Sequence, residues 1–313
     1  MANVDKCIKC GKCTRNCEFL SKYNLDFSCK EKLYNLAFHC FLCGKCNEVC
    51  PMNIDCMEYI LELRRKKINE NKGNVFEKEY KETIVEKTNY PFKNYDQSNA
   101  KVVFFPGCNF PLIYPETTKV IYQLLKDNIN AGLAIDCCGK PISDLGLLEE
   151  ENKIVNEINT NFKQLQVEEI VVACANCYYF FKDKLDVKVT SIFKKLKELN
   201  LGKKIEISNM NIFTPCQDRV KQDWLNDLKD FLPEDYKTTN LGQCCGLGAS
   251  AKIKEPEIYN KLSSQFNNFD EGNIFVYCAS CAAVFINAGS PIVKHVLTEI
   301  LETKENVNKN FTI

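Results

Sequence analysis

Twenty cysteines in 313 residues, and the intervals between them, constrain this chain more than any other feature. A secreted disulfide framework would put them in a short chain behind a signal peptide. This chain opens MANVDKCIKC, without an apolar signal-like core. No stretch reaches the roughly 18 uninterrupted apolar residues of a membrane span. The expectation is a cytoplasmic chain with no membrane span, in which thiols stay reduced and clustered cysteines bind metal. Formal net charge is +0, with acidic and basic residues interleaved, so there is no electrostatic case for a nucleic-acid partner. Only two histidines occur, His39 and His295, which rules out a histidine-rich metal site. Each is expected to be structural or surface rather than a ligand.

Residues 7–17 read CIKCGKCTRNC, and residues 40–51 read CFLCGKCNEVCP. Both are C-x2-C-x2-C-x3-C, the run of two-cluster ferredoxins, in which the fourth cysteine serves the other cluster. The spacing assigns Cys7, Cys10, Cys13 and Cys50 to one cubane [4Fe–4S] cluster, and Cys40, Cys43, Cys46 and Cys17 to a second. A pair of zinc knuckles is the alternative. Glu18 follows Cys17 where the second run has Pro51, which removes no ligand. Between the runs, Leu33, Leu36 and Ala37 fall at helical spacing, which predicts a mostly helical ferredoxin-like segment. Cys29 and Cys56 lie outside the runs and read as small buried apolar residues. Residues 57–72 continue as a charged helix, and residues 73–97 read as a charged linker.

The remaining two-thirds repeats. The first copy is Cys108, Cys137-Cys138-Gly139, then Cys174 and Cys177. The second is Cys216, Cys244-Cys245-Gly246, then Cys278 and Cys281. Apolar runs precede the cysteines: Lys101–Phe105 and Glu169–Ala173 in the first copy, Asn211–Phe213 and Asn273–Tyr277 in the second. These read as buried strands. Amphipathic stretches between them, such as Thr117–Leu125 and Asn152–Leu165, read as helices, and strands alternating with helices imply a parallel sheet. The expected fold class is mixed α+β and α/β: a helical two-cluster segment (1–72), the linker (73–97), and two Rossmann-like α/β domains (98–200 and 201–313). The cysteines would then sit past the carboxyl ends of strands, where open α/β sheets bind ligands. Five thiols are too many for a closed zinc site or one cubane. Either one is a spectator or the cluster is larger or more open. Structural zinc in one repeat stays an alternative.

The paired C-x(about 30)-CCG-x(about 35)-C-x2-C repeats resemble the cysteine-rich CCG domain of heterodisulfide reductase catalytic subunits. The domain also occurs in iron–sulfur subunits of glycerol-3-phosphate, lactate and glycolate oxidation systems. A ferredoxin segment followed by two such domains is similar to a fusion of the reductase C and B subunits. The resemblance implies a noncubane [4Fe–4S] cluster on Cys108, Cys137, Cys138, Cys174 and Cys177. It implies another on Cys216, Cys244, Cys245, Cys278 and Cys281, these ten cysteines forming the catalytic centre. Some relatives have lost cysteines and hold zinc, whereas both motifs here are complete. Gln217 follows Cys216 where many relatives have histidine. The implied activity is cleavage or formation of a small-molecule disulfide, fed through the N-terminal clusters by a flavoprotein or a ferredoxin. The alternative is a pure electron conduit for a flavin-dependent dehydrogenase. Lys140 and Arg219, close in sequence to cluster cysteines, are candidates for charge in the cleft; surface charge with no role is the alternative, and the one the sequence favours.

Overall fold

The structure is a computed structural model that describes residues 3–75, 78–239, 243–305 and 307. Residues 76–77 of the expected linker, and 308–313 of the expected last domain, lie outside the described residues.

Every regular element described before residue 94 is helical. Leu33 and Ala37 are fully buried, as their spacing predicts, but the helix Lys30–Asn35 stops short and Ala37–His39 tightens into a 3-10 turn. The long helix Cys56–Glu70 starts at Asp55, whose carboxylate accepts from the Glu58 N–H at 3.0 Å. It buries Cys56, Ile60, Arg64 and Ile68, a single stripe at four-residue spacing.

Residues 78–97 are more than a connection. Lys81–Thr88 is a helix, and Asn94–Gln97 is strand β1. The first sheet adds β2 (Val102–Phe105), β3 (Gly132–Ile135), β4 (Glu169–Val172) and β5 (Lys188–Ser191), in the order β1-β3-β2-β4-β5. Only β1 runs antiparallel, against β3. Its sequence, NYDQ, is mostly exposed, as suits an edge. By contrast, all four residues of β4 are buried, the pattern of a central parallel strand. The helices Pro115–Ile129 and Leu148–Gln164 extend the two amphipathic stretches read from sequence.

The second sheet comprises β6 (Asn211–Phe213), β7 (Lys237–Thr239), β8 (Ile274–Val276) and β9 (Val293–His295), all parallel, in the order β7-β6-β8-β9. Apart from β1, both sheets share one order: second, first, third, fourth strand.

Two buried charged side chains knit the parts together. Arg64 is fully buried. Its Nε donates to the Ala37 carbonyl (3.0 Å), Nη2 to that of Cys40 (2.7 Å), and Nη1 to those of Asp144 (2.7 Å) and Ala249 (3.2 Å). One guanidinium thus ties the N-terminal segment to loops from both sheets. The Glu255 carboxylate, also buried, accepts from Lys22 Nζ (2.7 Å) and Tyr23 O–H (2.7 Å) and lies 2.6 Å from His39 Nδ1. No helix among the described residues is long and apolar enough to cross a membrane.

Candidate functional site

In both sheets, parallel β2, β4, β6 and β8 point their carboxyl ends the same way as their neighbours, and the cysteines follow within a few residues. Cys108 follows β2, Cys137 and Cys138 follow β3, and Cys174 follows β4 and opens the helix Ala175–Phe181. In the second half Cys216 follows β6, Cys244 and Cys245 follow β7, and Cys278 follows β8 and opens the helix Ala279–Asn287. Gly139 and Gly246, which close the CCG tripeptides, both sit at φ of 84°, a conformation that a side chain disfavours. That turn places successive thiols on one site.

The first five thiols form a continuous chain of contacts: Cys108 to Cys137, Cys137 to Cys138, Cys138 to Cys177, and Cys177 to Cys174. In the second half Cys216 contacts Cys244, and Cys245 contacts Cys281, which contacts Cys278. Hydrogen bonds from Cys137 and Cys177 bring the Cys138 thiol down to about 6, while Cys177 is pushed well up. A hydrogen bond from Cys281 likewise lowers Cys278, and Cys281 rises. Buried thiols this close cannot all ionise unaided, because like charges in a low-dielectric site repel. The donor set therefore suits a cationic core that neutralises several thiolates together.

Four cysteines of each set line one cleft of about 210 Å³: Cys108, Cys138, Cys174 and Cys177 of the first, and Cys216, Cys245, Cys278 and Cys281 of the second. Cross-links hold the halves in place. Asn109 Nδ2 donates to Ser280 Oγ at 2.8 Å, and buried Asp218 accepts from the hydroxyls of Tyr179 and Tyr277. Lys140 lies in the cleft wall paired with Asp144, and Gln217 also lines it. Lys87 and Lys252 are cleft residues that sequence reading missed. Lys87 pairs with Glu86 at 2.6 Å and is drawn toward Cys108 and Cys137. Burial holds Lys252 below the ordinary lysine value.

In the N-terminal segment, Cys7, Cys10, Cys13 and Cys50 line one narrow cavity, joined by Cys56. Cys17, Cys40, Cys43 and Cys46 line a second, joined by Gln243. Each cavity thus draws three cysteines from one run and one from the other. Cys56 is buried with its thiol against Cys46, whereas Cys29 sits apart, 3.9 Å from an Asp26 oxygen. Neither histidine lies among the thiols that line these cavities. His39 bonds Glu255, and His295 is buried with Nδ1 accepting from the Leu297 N–H at 3.2 Å. Burial brings His295 down to about 3, so it is neutral. Among the described residues, no three or more His, Cys, Asp or Glu side chains close on one point as the ligands of a single metal ion do.

Residues 102–182, from β2 to the helix after β4, match the profile of the cysteine-rich CCG domain. The chain is 23% identical over 286 residues to an uncharacterized iron–sulfur protein of Methanococcus maripaludis, covering 80% of this chain and 57% of that one. It is 24% identical over 314 residues to one of the subunits of the fumarate reductase (CoM/CoB) of Methanothermobacter marburgensis, covering 83% and 62%. It therefore spans roughly three-fifths of the length of these relatives. Among solved structures, glutamate racemase RacE1 of Bacillus anthracis aligns with 13% identity over 66% of this chain and 80% of that one. Its TM-score of 0.35 is too low to carry an argument.

The segment that matches this profile makes one structural prediction. Gly107, just before Cys108, has φ of 81°, and a Cβ there would lie 2.9 Å from Cys177 Sγ. Gly107→Ala is expected to cost about 1–2 kcal/mol from backbone conformation alone, and more from displacing Cys177. Thermal melts of anaerobically handled protein check this; an unchanged midpoint would show that the turn tolerates a side chain.

Proposed function

We propose that the chain is an iron–sulfur oxidoreductase subunit that cleaves or forms a small-molecule disulfide in the cleft between its two five-cysteine sites. Two cubane [4Fe–4S] clusters would be held by Cys7, Cys10, Cys13 and Cys50, and by Cys40, Cys43, Cys46 and Cys17. Two noncubane [4Fe–4S] clusters would be held by the ten cysteines of the repeated motifs. The observation that carries this reading is that four cysteines of each five-cysteine set line one cleft. The relatives named as iron–sulfur proteins, and the one named as part of a reductase, support it and support association with partner subunits. The natural partner is a flavoprotein or a ferredoxin.

Cleaving a disulfide consumes two electrons and two protons and yields two thiols. The clusters that these cysteines would hold would supply electrons one at a time. The chain supplies the rest. Asn109 and Ser280, bonded across the seam, fix the separation of the two walls. Lys252, a cleft residue whose proton is loosened by burial, would be the acid for a departing thiolate. The pairs Lys87–Glu86 and Lys140–Asp144 put cations beside the first site without a large net charge.

The test is iron, zinc and acid-labile sulfide analysis of anaerobically purified protein. Electron paramagnetic resonance would follow, before and after adding cystine, glutathione disulfide or the CoM–CoB heterodisulfide. About sixteen irons per chain, no zinc and a disulfide-induced signal are expected. About twelve irons with one zinc would make one repeat structural. Full loading with no response to any disulfide would instead favour a pure electron conduit.

A further inference from the structure

Arg219 lies in the seam between the N-terminal segment and the second sheet, with only 8% of its side chain exposed. Its Nη1 donates to the Cys43 carbonyl at 2.8 Å, its Nη2 to the Gln243 carbonyl, and its Nε faces a Glu48 oxygen at 3.4 Å. Gln243 is itself buried. Its Nε2 donates to Cys43 Sγ at 3.3 Å, and its Oε1 accepts from the Glu18 N–H at 2.7 Å. The thiols of Cys43 and Cys244 are in hydrogen-bond contact across this seam. One cation is thus shared by thiols of two sites: Cys43 in the N-terminal segment, and Cys216 and Cys244 in the second repeat. At the matching positions the first repeat has no such arginine and glutamine. Three residues after its leading Cys108 stands Pro111, and before its paired cysteines stands Asp136, at the places of Arg219 and Gln243.

We propose that Arg219 is a positioning residue common to two clusters. It clamps the loop carrying Cys43 to the tripeptide carrying Cys244 and gives both sites the same positive charge. Electrons then cross between the N-terminal segment and the cleft here, one site losing an electron as the other gains it. The inference rests on the four-cluster reading above. Its physical basis is that reduction adds negative charge, so a buried cation and hydrogen bonds to the sulfurs favour the reduced state.

The experiment is a redox titration of full-length, anaerobically loaded protein, followed by electron paramagnetic resonance, with iron counted in parallel. Arg219→Gln is expected to lower two of the four transitions while the other two stay put. A tenfold change in each reduction equilibrium corresponds to about 59 mV for a one-electron couple. Arg219→Lys, which restores charge without the planar fork, should recover part of the shift. Glu48→Gln, which removes the carboxylate facing Arg219 and touches no cysteine carbonyl, should raise the same two transitions. It decides the matter if Arg219→Gln loses iron. Four unmoved transitions, or four that shift alike, overturn the proposal. Wild-type protein that binds fewer than four clusters overturns the reading beneath it instead, so the two failures are distinguishable.

Discussion

Arg64→Ala is expected to lower stability by about 4 kcal/mol or more, since hydrogen bonds from a charged donor contribute roughly 1.5–3 kcal/mol each and this side chain satisfies carbonyls of four residues. Those carbonyls belong to Ala37, Cys40, Asp144 and Ala249, so the loss falls on the junction of the N-terminal segment with both sheets. Water entering the space would recover some of it. Arg64→Lys should recover less than its charge suggests, because a single ammonium cannot reach carbonyls spread around a planar fork. Fluorescence of Trp224, the sole tryptophan and fully buried, reports unfolding of the second half. Limited proteolysis within residues 3–72 reports the N-terminal segment. The expected signature is that the two signals separate in the variant, the N-terminal one lost first. Coincident transitions at the wild-type midpoint would show that the junction does not depend on this residue.

The second large effect centres on Glu255. Burial pushes its carboxyl up, but hydrogen bonds from Lys22, His39 and Tyr23 outweigh burial and hold it below the ordinary glutamate value. Lys22 is partly exposed, so that ion pair alone contributes little. The larger part comes from Tyr23 and His39, which would lose their common acceptor. Glu255→Ala is expected to cost about 3 kcal/mol. A carboxyl depressed by folding stabilises fully above its unfolded value, near pH 4.3, and that contribution is lost as pH falls through the lower folded value. The gap between wild type and variant that is due to the Glu255 charge should therefore stay constant from pH 8 to 5. It should narrow only in stronger acid. Denaturant midpoints across that range test it, and a gap that closes between pH 7 and 5 would assign the effect to another group.

The cysteine groups were legible in the sequence because their spacing is local: three thiols on one loop, or two adjacent thiols before a glycine, recur at fixed intervals. The short apolar runs before them were legible as strands because a central parallel strand is buried on both faces. Strand β1 was not, since the edge position of NYDQ leaves it polar and without alternation. The helix Lys81–Thr88, rich in charge, hid Lys87 inside what reads as a linker. Arg64, Arg219 and Glu255 were equally hidden. Their partners lie up to 233 residues away in the chain, and no local pattern records a contact over that distance. Arg219 reads as surface charge in the sequence and is buried in the fold.

The contact of Cys43 with Cys244 has a further consequence for how charge could travel. A carrier arm that swings between donor and acceptor needs slack, and its turnover follows the friction of the solvent. Here the two thiols already touch, and Arg64, Arg219 and Glu255 pin the segment that carries Cys43 from three directions. On the electron-transfer reading proposed above, the chain would be a soldered wire rather than a shuttle. Its pace across this joint would be set by energy levels and a fixed gap, and not by diffusion.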